Sequence, residues 1–206
     1  MYIKEGKKIK ITIDNLSSEG QGIGRVDGLA VFVKGAMVGE ECIVEIIKLK
    51  KKYAQAKLLK ILKTSPDRVS PLCPVANKCG GCQLSHMSYD QELEFKTQKV
   101  KDNLIRIGNI DTMVFDTIGM KKPWNYRNKA QYPVAMENNE RVFGFYESGS
   151  HKIVDIENCM LQHEASNTVM SIVKTWAVKH KISIYDEVNH IGLLRHVVVK
   201  VGYKTR

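Results

Sequence analysis

The stretch KKIKITIDNLSSEGQGIGRVDGLAVFVK, residues 7–34, decides the fold of the N-terminal part of the chain. Ile9, Ile11 and Ile13 alternate with Lys8, Lys10 and Thr12, the period of two that sends successive side chains to opposite faces of a strand. Gly24 to Val33 reads as two short strands joined by Asp27-Gly28, a favoured two-residue hairpin turn. Further along, Cys42, Val44 and Ile46 alternate with Glu41, Ile43 and Glu45, and Tyr53 to Leu62 supplies a last strand. Five short strands in about 60 residues predict a small closed barrel, because an open sheet of that size leaves unpaired edges. The expectation is an OB-like barrel over residues 1–62, followed by an α+β region over 63–206. Gly20-Gln21-Gly22-Ile23-Gly24 tempts a phosphate-loop reading, but that fingerprint needs a following helix and a hairpin follows here; the glycines are read as barrel turns.

The chain of 206 residues carries 32 Lys and Arg against 22 Asp and Glu, a net charge of +10, which argues against an acidic or charge-balanced small-molecule enzyme. Residues 1–65 hold 13 basic and 7 acidic side chains, so the barrel is the electrostatic head and points to nucleic acid or another anionic partner. A hydrophobic content of 43% with 26% charged excludes wholesale disorder. No apolar run approaches the ~18 residues of a spanning helix, and Met1 to Lys10 lacks the apolar core of a signal peptide. The expectation is a soluble, cytoplasmic monomer without membrane association.

Lys48, Lys50, Lys51 and Lys52 form the densest basic run, with Tyr53 beside it as a stacking face; contact with RNA or DNA stands here against a merely solvated strand end. In Tyr126 to Val134, basic and aromatic residues interleave. On a strand, Arg127, Lys129 and Gln131 share one face, a row suited to phosphate and base contacts or equally to plain solvation. Ser88-Tyr89-Asp90-Gln91 is a capping-box start, and Leu93, Val100, Leu104 and Ile107 recur at helical spacing until Gly108. Further strands are read at Arg141 to Tyr146 and Ile153 to Ile156. They are followed by a helix whose stripe of Val169, Ile172, Val173, Trp176 and Ala177 is assigned to core packing.

The most specific feature is Cys73-Pro74-Val75-Ala76-Asn77-Lys78-Cys79-Gly80-Gly81-Cys82, the form C-x5-C-x2-C, in which three thiols can converge on one centre. The five cysteines are an odd number, which suits a reducing compartment and a metal site better than disulfides. For a fourth ligand, Cys159 is favoured over Cys42, which sits inside an alternating strand as a buried thiol. Spacing alone divides between structural zinc and an iron–sulfur cluster, with inert core cysteines as a third reading.

The succession of a small basic barrel, CPVANKCGGCQLSH, PWNYRNKAQYPV, GFYESGSHKIVDIENC and GLLRHVVVKVG resembles, over nearly the whole chain, the N-terminal portion of RNA 5-methyluridine methyltransferases of the TrmA/RumA type. It is closest to those acting on 23S ribosomal RNA. The resemblance implies that the barrel is a TRAM domain. It implies also that Cys73, Cys79, Cys82 and Cys159 hold a [4Fe-4S] cluster, and that RNA, ribosomal rather than transfer, is the partner. Family members move a methyl group from S-adenosylmethionine to the 5-carbon of a uridine. Their donor site, nucleophilic Cys and carboxylate base lie in a C-terminal Rossmann-like domain, which is expected to be missing from a chain ending at Lys204-Thr205-Arg206 directly after an apolar strand. No catalytic residue is therefore assigned here. Cys42 is a poor nucleophile within its strand, and the six His default to packing or surface roles. A stand-alone metal-cluster RNA-binding module is the alternative, and an electron-transfer protein is a third reading that the charge disfavours.

Overall fold

The computed structural model of the chain describes residues 3–204. These form two compact units, one of residues up to 71 together with 83–118, the other of residues 72–82 together with those from 119 onward.

In the first unit the strands are β1 (Lys8–Thr12), β2 (Asn15–Leu16), β3 (Gly22–Val26), β4 (Leu29–Val33), β5 (Glu41–Leu49) and β6 (Tyr53–Lys63). They lie in the order β1-β5-β6-β4-β3-β2, and β4 pairs with β6 in parallel. The two outermost strands, β1 and β2, are separated in sequence only by Ile13 and Asp14, so the sheet must curl until its ends meet. The Asp14 N–H completes the seam by donating to the Ile23 carbonyl at 2.9 Å. The alternation read from the sequence is the barrel's inside and outside: Ile9, Ile11, Val31, Val33, Cys42, Val44 and Ile46 are buried together, while Lys8 and Lys10 face out. Asp27 and Gly28, at φ 48° and 82°, turn β3 into β4 as expected.

The glycines of 20–24 need one correction. Gly20 does sit in a turn, at φ +74°. Gly24 lies within β3, where a Cβ would stand 2.3 Å from the Thr12 carbonyl oxygen; its role is to let β3 cross close over β1. At the barrel's end Glu40 is fully buried. Its carboxylate accepts from the Met37 N–H at 2.9 Å, the Ser65 N–H at 3.3 Å, and Arg68 Nε and Nη2 at 2.6 and 2.9 Å.

Helix α1 (Tyr89–Arg106) begins at Ser88, whose hydroxyl accepts from the Gln91 N–H at 3.3 Å. Only half of the capping box forms, because the Ser88 N–H that Gln91 would accept from donates to the Asp67 carbonyl at 2.8 Å. The expected apolar stripe is not a buried one: Val100 and Ile107 are exposed, and the buried residue of this helix is Thr97.

The second unit has β7 (Lys129–Glu137), β8 (Glu140–Tyr146), β9 (Ile153–Asp155) and β10 (His196–Lys200), an antiparallel sheet in the order β10-β7-β8-β9. Helix α2 (Glu164–Lys179) packs on it through Met170 and Ala177, which join Tyr132, Phe143 and Val197 in one core with Val173 at its edge. The stripe assigned to packing is therefore corrected. Val169, Ile172 and Trp176 are 38%, 61% and 45% exposed, because the face that meets the sheet is turned toward Ser166, Met170, Val173 and Ala177. No helix among the described residues is long and apolar enough to cross a membrane.

Candidate nucleic-acid surfaces and cysteine centre

The segment 73–82 is a run of tight turns, with the Ala76 N–H donating to the Cys73 carbonyl at 3.2 Å and the Cys79 N–H to that of Val75 at 2.8 Å. Gly81 donates its N–H to the Cys79 sulfur at 3.4 Å. Gly80 donates to the Tyr146 carbonyl at 2.9 Å, and a Cβ there would stand 3.0 Å from that oxygen and 3.1 Å from Ser148 Cα. Glycine at 80 is what lets the loop lie against the end of β8. Cys159 is held from the other side by Asn167 of α2, whose Oδ1 accepts from the Cys159 N–H at 3.1 Å and whose amide donates to the Cys159 carbonyl at 3.2 Å.

All four cysteines thus belong to the second unit. Two of them, Cys79 and Cys82, are raised in part by neighbouring thiols. Burial, and then the neighbouring Cys159, Cys79 and Cys73, push the Cys82 thiol up to about 11, against a smaller opposing pull from Arg127. Cys79 is raised chiefly by burial, eased by the Gly81 N–H and raised again by Cys159 and Cys73. Among the described residues no three His, Cys, Asp or Glu side chains are gathered closely enough to hold a metal ion. Cys42 lies in the barrel core of the other unit, raised to about 11 by burial and then by Glu40. That is the buried thiol expected of it.

Lys48 stands next to the last residue of β5, and Lys50, Lys51 and Lys52 make the exposed turn into β6, closed by the Lys50 N–H donating to the Tyr53 carbonyl at 2.9 Å. Tyr53 stands edge-on to Phe32, ring centres 5.7 Å apart, and is 36% exposed. In the other unit Lys129 and Gln131 share the exposed face of β7, opposite Lys200 and Val198 of β10. Arg127 precedes β7 and is exposed, its backbone fixed by donation to the Leu161 carbonyl and acceptance from the His163 N–H, both 2.9 Å. The structure so brings Arg127 beside the cysteine centre, a neighbourhood no spacing in the sequence announces. Sequence reasoning missed Asn167, which reads as one more helix position. It also missed Asn125, at φ 56°, which ties its N–H to Met160 and its side chain to Gln162 at 2.8 and 2.9 Å.

The fold thus joins a small basic barrel to an α+β unit carrying four cysteines. Residues 3–59 match the TRAM domain family. The chain is 52% identical over 98% of its length to an uncharacterized RNA methyltransferase of Caldanaerobacter subterraneus subsp. tengcongensis, covering 45% of that protein. A second, from Clostridium tetani, is 44% identical, with 44% of it covered. The Pyrococcus abyssi tRNA (uracil-54, C5)-methyltransferase, solved in complex with S-adenosyl-L-homocysteine, superposes with a TM-score of 0.70 at 30% identity over 95% of this chain and 43% of its own. Residues 3–59 thus carry a TRAM domain, the chain as a whole is similar to RNA methyltransferases, and it spans less than half the length of the curated relatives it matches.

Proposed function

We propose that the protein acts in the S-adenosylmethionine-dependent methylation of the 5-carbon of uridine in RNA, and that these residues are its RNA-recognition and cluster-bearing part. The observation that carries this reading is the match, over 95% of the chain, to the Pyrococcus abyssi tRNA (uracil-54, C5)-methyltransferase. The donor is assigned from that enzyme's complex with S-adenosyl-L-homocysteine, and its site to the part of the relatives that this chain does not match. The substrate we put forward is ribosomal RNA, on the resemblance of the barrel and four-cysteine pattern to ribosomal RNA enzymes; transfer RNA is the competing substrate in any assay. The protein is taken to work as a cytoplasmic monomer.

Lys48, Lys50, Lys51, Lys52 and Tyr53 on the barrel, with Arg127, Lys129 and Gln131 on the second unit, are assigned to RNA. Exposed ammonium and guanidinium groups neutralise phosphates, and the half-exposed Tyr53 ring offers a face to a base. Cys73, Cys79, Cys82 and Cys159 are assigned to a [4Fe-4S] cluster. What supports the assignment is donor chemistry: four soft sulfur ligands lie in one unit, and Cys159, Cys79 and Cys73 all help to raise the Cys82 thiol. The group supplies a cross-link and no electron to methyl transfer. Joining Cys82 to Cys159, 77 positions apart, removes a loop-closure entropy of about 4 kcal/mol, large beside a domain stability of ~5–15 kcal/mol.

Anaerobic purification of the chain tests this, with expected contents of about four irons and four sulfides per chain. Cys159→Ser is expected to lose the brown chromophore and to loosen hydrogen-exchange protection in the second unit, leaving the barrel folded. Stoichiometric zinc without iron overturns the cluster assignment.

A further inference from the structure

The second unit carries an aromatic and cationic group that none of the assignments above uses. The Tyr146 ring, 42% exposed at the end of β8, lies 5.6 Å from that of His151, tilted by 39°. His151 Nδ1 is 3.8 Å from one oxygen of Glu187, and Arg195 Nη2 is 3.7 Å from the other. The Arg195 guanidinium in turn lies 4.8 Å over the Tyr185 ring, whose hydroxyl is 3.0 Å from His190 Nδ1. Tyr146, His151, Glu187, Arg195, Tyr185 and His190 therefore form one continuous surface drawn from two hairpins distant in sequence.

Three features make this surface a receptor. At Tyr146 and His151 it borders a shallow, open depression lined also by Gly80, Gly81, Ser148 and Ser150. Its scaffold is fixed: Asp186 accepts from the Val188 and Asn189 N–H groups at 2.8 and 3.1 Å, Tyr185 donates its N–H to Leu194 at 2.9 Å, and Asp186 donates its own to Ile191 at 2.7 Å. Its charges are held loosely. The side chains of His151, Glu187 and Arg195 are 84%, 62% and 56% exposed, so the long Glu187 contacts are solvent-screened and can be exchanged for a ligand's. Glu187 balances Arg195, so this is no phosphate-tracking patch like the Lys48–Lys52 turn. It offers ring faces, hydroxyls and backbone, the groups that read unpaired bases.

We propose that this surface binds unpaired nucleobases of RNA, with Tyr146 and Tyr185 as stacking faces and Arg195 and His151 as the flanking hydrogen-bond donors. The inference rests on the reading of the protein as an RNA enzyme. It adds a site that recognises single-stranded against double-stranded substrate. Such selectivity suits a reaction on the 5-carbon of a uracil that must leave its stack to be reached.

The test is binding of a fluorescein-labelled single-stranded RNA of about 12 nucleotides and of the same sequence as a duplex, across a salt series. Tyr146→Ala and Tyr185→Ala are each expected to weaken single-stranded binding by about 5- to 150-fold with an unchanged salt slope. The duplex should bind as before, and Tyr146→Phe should bind like the original chain. Tyr146 is at the surface and Tyr185 is half-buried beneath Arg195, and unchanged circular dichroism and thermal unfolding confirm that both variants fold. Single-stranded binding unaltered by both alanine variants, or equal losses for strand and duplex, overturns the stacking site while the RNA-enzyme reading stands. Failure of the unsubstituted chain to bind any RNA overturns both.

Discussion

Replacing Arg68 by Met strips the buried Glu40 carboxylate of its cation and of two of its four hydrogen bonds, leaving only the Met37 and Ser65 N–H groups. Breaking a buried ion pair from one side typically costs 3–5 kcal/mol. Arg68 retains 19% side-chain exposure while Glu40 has none, so water partly reaches the pair and the lower figure, about 3 kcal/mol, is expected at pH 7. The assay is hydrogen exchange at the Ile46 N–H, which donates to the Lys7 carbonyl at 3.0 Å inside the barrel and should exchange about 150-fold faster in the variant. The effect depends on pH. Burial alone raises the Glu40 carboxyl, but the Arg68 hydrogen bond, the Met37 N–H, the Arg68 charge and the Ser65 N–H together hold it below its ordinary value. A lowered folded value means that the pair's contribution is present above the unfolded carboxylate range of ~4.3 and is lost as pH falls through the folded value. The gap between Arg68→Met and the original chain should therefore close in acid, where Glu40 is protonated in the variant. A loss under about 1 kcal/mol at pH 7, or a gap that does not narrow in acid, refutes the assignment of Glu40 and Arg68 as the lock on the barrel's end.

Changing Lys48, Lys50, Lys51 and Lys52 to Ala should reduce the slope of log affinity against log salt for structured RNA by about 3, read by filter binding, and an unchanged slope removes the turn from the RNA surface. Gly24→Ala sets a Cβ 2.3 Å from the Thr12 carbonyl and should cost about 2–3 kcal/mol by urea titration. Gly28→Ala meets no atom within 4 Å and strains only its φ of +82°, so it should cost about 1 kcal/mol. With its thiol at about 11, Cys42 should resist iodoacetamide at pH 8 in the folded chain, having about one thiolate in a thousand, and rapid labelling seen by peptide mass spectrometry contradicts its burial.

The barrel was legible because its signals are local. A period of two, a positive-φ turn at Asp27-Gly28 and the shortness of the strands leave closure as the way to pair the edges, and β1 and β2 do meet across Ile13-Asp14. The cysteine spacing predicted a centre; Cys73, Cys79, Cys82 and Cys159 do fall in one compact unit, but among the described residues no three such side chains are gathered closely enough to hold a metal ion. What failed to show was what helical periodicity does not encode. On α2, apolar residues occupy both faces, and tertiary contact chose Met170 and Ala177 over Ile172 and Trp176 as the packed side. The surface around Glu187 was invisible for another reason: His151 and Arg195 converge on it only after two hairpins fold, and no motif links them.

The central claim is that the protein serves uracil C5 methylation of RNA. Its most direct test is to disrupt the gene in its native host and map 5-methyluridine in ribosomal and transfer RNA by mass spectrometry, restoring the intact gene as control. The account predicts that 5-methyluridine disappears from ribosomal RNA and returns with the gene. Retention of every 5-methyluridine in both RNA classes contradicts it.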